Sequence, residues 1–230
     1  MRVLITAPLK QDKGIFEVYQ NALDKLVIPS GFVVDRHFVV NDCPEIIPYI
    51  RGSYEVCNTG DLYEKTESTH IWTQENMGKM HKLRNLTIKR MLDGGYDYWF
   101  SVDTDEILQP LTLVALLAAD KDIVSEIQWT DGWCNAWMVD QSWGMLEEWH
   151  KPGLYKVGMT SACVLVKRRV FEAGVDYSRI PNISQALVGE DRHFCVRAAC
   201  AGFEIWTDTH CPAEHLYTDA MYEDYIRRQG

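Results

Sequence analysis

Apolar residues recur along this chain in two rhythms, and the alternation between them sets the first expectation. Val3, Leu4 and Ile5 run together and predict a buried strand over 2–7, while Phe16, Tyr19, Leu23, Leu26 and Val27 share one face of a helix over 16–28. Pro29-Ser30-Gly31 stops that helix. Residues 32–40 are rich in β-branched and aromatic side chains and predict a second strand ending at Asn41-Asp42. Between 43 and 73 the pattern weakens, with a short third strand expected at 54–57. Met77, Met80, Leu83, Leu86 and Met91 then predict a helix over 74–92 that Gly94-Gly95 closes. It feeds the apolar run Tyr98-Trp99-Phe100-Ser101-Val102, followed by a helix over 111–119 and a strand over 122–127.

Strands and helices in alternation over the first 127 residues predict an α/β sandwich with a largely parallel sheet. The second half is less regular: a strand over 157–166, a helix over 190–201 ended by Gly202, and a last short strand over 203–206. Trp129, Trp133, Trp137, Trp143 and Trp149 crowd into it, five of the eight tryptophans of the chain. No repeat, low-complexity tract or linker divides the sequence, so one domain over 1–230 is expected.

Composition narrows the function classes. The 230 residues are 47% hydrophobic and 24% charged, which is ordinary globular chemistry. A formal charge of −10 argues against a general polyanion binder and counts against a nucleic-acid acceptor. No stretch reaches the ~20 apolar residues of a membrane-spanning helix. Residues 1–8 are too short and too soon interrupted for a signal peptide. Seven cysteines, none in a CxxC pair, fit reduced thiols, so a cytoplasmic location is expected.

The chemistry gathers where the central strand ends. Side chains alternate along a strand, so Asp103 and Asp105 of Asp103-Thr104-Asp105 share a face and can converge on one point. Carboxylate oxygens suit Mg2+ or Mn2+, and a cation there could bridge to a diphosphate. A solvated acidic turn is the ordinary alternative for the tripeptide alone. Ligands of such sheets bind beyond the carboxyl ends of the strands, and Ala7-Pro8, Asn41-Asp42 and Asp103-Thr104-Asp105 are all such ends. Neither GxGxxG nor GxxxxGK[ST] is present to hold phosphates instead.

A strand ending in Asp-X-Asp, an earlier helix bearing Arg84-Asn85, Glu190-Asp191 opening a later helix, and His215 near the end together resemble the GT-A glycosyltransferases, particularly the inverting family 2-like group. The resemblance covers about residues 2–217 and is most specific over Gly189-Glu190-Asp191-Arg192-His193-Phe194 and onward to His215. It implies a GT-A (Rossmann-like) three-layer sandwich, with 1–127 binding a nucleotide-sugar and 128–230 binding the acceptor and carrying catalysis. It implies a metal site of Asp103, Asp105 and His215 for Mn2+ or Mg2+, and a catalytic base at Asp191. Donor contacts are implied for Thr6, Pro8, Asp42, Arg84 and Asp103, and acceptor contacts for Glu190. Two departures touch the nucleoside side: Thr6-Ala7-Pro8-Leu9-Lys10 lacks the usual Pro-X-Tyr-Asn, and Asp-Gly-Ser-X-Asp is missing after Asp42.

The residues bear this chemistry on their own terms. A cation held by two aspartates neutralises charge on a departing nucleotide, and an imidazole is a reasonable further ligand for Mn2+. Asp191 near a helix N-terminus is favoured as a carboxylate, although Glu and Asp are also ordinary first-turn residues. Trp133 and Trp137 could be flat platforms for an acceptor or simply core. The expectation is a metal-dependent transferase moving a sugar from a UDP- or GDP-sugar to a hydroxyl acceptor, with inversion. A nucleotidyltransferase acting on a sugar phosphate and a glycan-binding module with a vestigial donor site are the alternatives.

Overall fold

The computed structural model describes residues 1–60, 74–130, 132–140, 144–182 and 189–229. In chain order the elements are β1 (Arg2–Leu9), α1 (Lys13–Asp24), β2 (Val33–Val40), β3 (Ser53–Val56), α2 (Gln74–Asp93), β4 (Tyr98–Ser101), β5 (Glu106–Ile107), α3 (Thr112–Ala118) and β6 (Ile123–Thr130). There follow β7 (Trp133–Cys134), β8 (Ala136–Trp137), β9 (Leu154–Val157), β10 (Met159–Thr160), β11 (Val164–Lys167), α4 (Arg168–Glu172), α5 (Glu190–Cys200), β12 (Ile205–His215) and α6 (Asp219–Gln229).

The main sheet runs β3-β2-β1-β4-β11-β6-β12-β5. β3, β2, β1 and β4 are mutually parallel, and β6 and β12 share their direction because β11 is antiparallel to both β4 and β6. The sheet is therefore mostly parallel, as expected, with β11 and β5 reversed and the short strands β7 and β9 added antiparallel to β6 and β12. Alternation along β1 sends Val3, Ile5, Ala7 and Leu9 to one face and Leu4 to the other. On the first face lie Phe16, Tyr19 and Leu23 of α1 with Leu113 and Leu116 of α3; on the second lie Ile88 and Met91 of α2 with Phe194 and Ala198 of α5. Helices cover both faces of a buried sheet, the arrangement that lets a parallel sheet exclude water.

Four expectations change. The first helix spans Lys13–Asp24 and not 16–28: the chain leaves it at Lys25, and Val27 and Ile28 are exposed, with the Val27 N–H donating to the Pro110 carbonyl. The single strand expected over 157–166 is three short ones. Gly158 packs so closely on the Met138 carbonyl that a Cβ would lie 2.3 Å from it, and Ala162 and Cys163 take left-handed φ of 50° and 31°. The last strand extends to His215 and not to 206, with a register shift between Asp208 and Ala213 against β6. A helix after it, α6, is not among the expected elements; it has no fully buried residue, and only Tyr222 and Tyr225 pack against the core.

Candidate active site

The parallel strands deliver their carboxyl ends to one rim, and there a cleft of about 690 Å³ opens, a size suited to a small-molecule ligand. Pro8 near the end of β1, Asn41 and Asp42 after β2, Asp103 to Glu106 after β4, Gln128 and Thr130 at the end of β6, and His215 at the end of β12 line it. Arg84 from α2 and Gly189, Glu190 and Asp191 from the start of α5 form the facing wall. Asp42 sits at a left-handed φ of 51°, a conformation Asp tolerates better than most residues, and its carboxylate accepts from the Gly60 N–H at 2.8 Å.

Arg84 joins the two walls. Its guanidinium, 3% exposed, donates from Nη1 and Nη2 to the two oxygens of Asp103 at 3.0 and 3.1 Å, and from Nε to Glu190 Oε1 at 3.1 Å. Nη1 also donates to the Ser101 hydroxyl at 3.0 Å, and Asp191 Oδ1 lies 4.0 Å from Nε. The fork geometry of arginine makes the Asp103 contact bidentate and fixes that carboxylate in place. Burial, then the charge of Glu190, raises the Asp191 pKa well above the ordinary carboxylate range, with Arg84 opposing them. Burial and Glu190 thus favour the protonated form, and the positive charge of Arg84 is what favours the ionised carboxylate that a proton acceptor requires.

Across the rim, Asp105, Glu106 and His215 each offer one ligand atom, all within 4.8 Å of one another. The turn at Asp103 brings the Glu106 N–H onto the Asp103 carbonyl, and the Leu216 N–H donates to the Asp105 carbonyl at 2.8 Å. His215 Nε2 faces Asp105 Oδ2 at 3.5 Å, while Nδ1 faces the Thr130 hydroxyl at 2.8 Å. That hydroxyl donates to Gln128 Oε1 at 3.3 Å, so it accepts from Nδ1–H and leaves Nε2 directed at the carboxylates. Burial works to lower the His215 pKa, but the hydrogen bond to Asp105 and the charges of Glu106, Asp105 and Asp103 prevail and push it up to about 9. Glu106 is 1% exposed, and burial raises it to about 8. Its Oε2 has no hydrogen-bond partner. Carboxylate and imidazole donors crowded round an unsatisfied buried oxygen fit a divalent cation such as Mn2+.

The residues singled out in the sequence do not all meet. Pro8, Asp42, Arg84, Asp103, Asp105, Glu190, Asp191 and His215 line the one cleft. Thr6 does not: it is fully buried inside β1, and Leu9 and Lys10 take its place on the wall. Trp133, 56% exposed, and Trp137 also lie off the cleft lining, on the short strands β7 and β8. Trp149 is core, Trp129 stacks on His150 at 4.2 Å, and Trp143 lies outside the described residues. Glu106 and Thr130 were missed. The acidic residue following Asp-X-Asp was the available sign for the first, and nothing local marks the second.

No family model matches this chain, and no curated protein matches it in sequence. Solved structures do. The mannosyltransferase PcManGT from Pyrobaculum calidifontis, in complex with GDP-Man and Mn2+, superposes with a TM-score of 0.60 at 13% identity over 99% of this chain and 60% of its own. GalNAc-T7 with UDP, GalNAc and Mn2+ gives 0.62 at 10% identity over 95% and 44%. CMP:2-keto-3-deoxy-manno-octonic acid synthetase complexed with CTP gives 0.55 at 11% identity over 100% and 98%. The chain thus spans less than two thirds of these two glycosyltransferases and nearly all of the synthetase. It has a GT-A-like, Rossmann-type fold, one that serves glycosyltransferases and sugar nucleotidyltransferases alike. Among the described residues no helix is long and apolar enough to cross a membrane.

Proposed function

We propose that this chain is a metal-dependent glycosyltransferase that moves a sugar from a nucleoside diphosphate-sugar to a hydroxyl acceptor with inversion. The observation that carries it is one cleft in which Asp105, Glu106 and His215 gather at the rim and, across Arg84, Asp191 stands on the facing wall. Asp105 and His215 would hold Mn2+ or Mg2+ with Asp103, directly or through water. The bound cation would supply positive charge against the leaving diphosphate. Pro8 and Asp42 flank the nucleoside, and Arg84 acts on the donor through Asp103, whose carboxylate it orients. Asp191 takes the proton from the acceptor hydroxyl, and Glu190, fixed by Arg84, keeps the base beside it. The donor occupies the half before residue 127 and the acceptor the half after it, within one domain and in a cytoplasmic setting. Trp133 and Trp137 bear on an acceptor only where it extends beyond the cleft.

The test is transfer from UDP- and GDP-sugars with Mn2+. Asp191→Asn should lower turnover by about 10²–10⁴-fold while calorimetry still detects donor binding. A fully active Asn variant would remove the base assignment. One observation favours a second reading, transfer of a nucleotidyl group to a sugar phosphate or sugar acid: the chain matches the CTP-bound synthetase over almost its whole length. Release of pyrophosphate from a nucleoside triphosphate, with no nucleoside diphosphate released from nucleotide-sugars, would establish that reading in place of the first.

A further inference from the structure

Among the described residues of the cleft, Glu106 is the carboxyl that is sealed from solvent with one oxygen left without a hydrogen-bond partner. Asp103 is not in that condition, since Arg84 engages both of its oxygens at 3.0 and 3.1 Å. Glu106 is 1% exposed, lines the cleft, and its Oε2 has no hydrogen-bond donor near it. Its direction is set by the sheet. In the antiparallel β5–β12 pair Glu106 stands directly opposite His215, so the two side chains project from the same face. Asp105 belongs to the preceding turn and swings its carboxylate to the same point, which brings one donor atom from each of the three within 4.8 Å. A buried carboxylate oxygen without a partner is costly to maintain, and a cation satisfies it.

We infer that Glu106, with Asp105 and His215, is a direct ligand of the divalent cation, and that Asp103, clamped by Arg84, stands behind it as an anchor reaching the metal through water. The inference rests on the metal-dependent reading above and narrows its ligand set. Two carboxylates and one imidazole favour Mn2+ over Mg2+, because a nitrogen donor suits the former and near-ideal oxygen octahedra suit the latter.

The experiment is Mn2+ titration of the full chain, following the free-ion electron paramagnetic resonance signal, with and without UDP. It compares wild type, Glu106→Gln and Asp103→Asn, each checked for folding by its metal-free melting temperature. Glu106→Gln should weaken Mn2+ binding by about 10–100-fold, the range known for perturbing a metal site, and Asp103→Asn by no more than about threefold. Near-wild-type binding by Glu106→Gln, with loss in Asp103→Asn, overturns the assignment. Should Glu106→Gln fail to fold, Glu106→Asp keeps the charge but retracts it by one methylene. That variant should lose about tenfold, and unchanged affinity in it overturns the assignment equally. Glu106-dependent Mn2+ binding in a chain that releases only pyrophosphate supports the ligand set while overturning the glycosyltransferase reading. A wild-type chain that binds no Mn2+ even with UDP or GDP overturns both.

Discussion

The two halves of the molecule are built on different terms. From β1 to β6 nearly every strand is an apolar run with a helix packed over it, and the polar groups that matter appear only where the runs stop. After β6 the chain turns through short pieces, β7 to β10, before β11 and β12 re-enter the sheet. Where β12 pairs with β6 the interior is polar: Glu126 on β6 and Thr207, Asp208 and Thr209 on β12 are all buried. Dispersion and water exclusion dominate the first half, although Gln20, Arg84, Thr87 and Glu106 are buried in it as well. The second has fewer long apolar runs, so its hydrogen bonds and compensated charges carry a larger share, and these fail more abruptly when one partner is removed.

Arg84 is where the halves meet, so its removal should have the largest effect. Arg84→Met leaves Glu190, Asp103 and Asp191 without their cation, and removing one partner of a buried pair costs about 3–5 kcal/mol. Urea denaturation measures it. A loss no greater than that of an exposed arginine such as Arg227 would mean that packing alone joins the halves.

Glu126 probes the polar interior next. Burial, then the charge of Asp208, raises its pKa from 4.5 to about 9. The native state therefore keeps a proton that the unfolded chain releases above pH 4.5, so this contribution is complete below that value and drains away as pH climbs towards 9. Glu126→Gln, whose Oε1 can still accept from the Cys211 N–H, should flatten the decline and gain about 2 kcal/mol at pH 8 relative to wild type. Equal stabilities of the two proteins at pH 5 and at pH 8 would contradict it.

The smallest effect is local. Ala162 holds φ 50° at the base of the cleft, a left-handed conformation that disfavours any side chain. Ala162→Gly should raise stability by about 0.5 kcal/mol, read from the denaturation midpoint. The opposite sign would show that the methyl packing outweighs the strain.

The same contrast governs what the chain discloses as a string of letters. β1, β2, α2 and β4 are foreseen to within a residue or two because each is a long run of one period. β12 is foreseen only in its first residues, since Thr207, Asp208 and Thr209 spell a loop although the structure buries them. The break at Ala162 and Cys163 leaves no local trace, because neither is a residue that ordinarily marks a left-handed turn. Most of the cleft is legible because element ends carry it: Asp103, Asp105 and His215 stand at strand ends on one rim, and Asp191 opens the helix that faces them. The pairing of Arg84 with Glu190, 106 positions apart, and the seating of Glu106 opposite His215 belong to the assembled sheet and to no stretch of sequence.

β12 is wedged between β6 and β5, so a strand made late separates two that were made long before it. A ribosome-bound chain that has emerged only as far as α5 contains Asp105 and Glu106 but has no neighbour for β5 and no imidazole to set against them. With the ligand set proposed above, capture of a metal ion would wait until His215 is out, and joining contacts so distant along the chain slows maturation. Products ending before β12 would carry acidic residues at the rim yet lack the imidazole that completes that set.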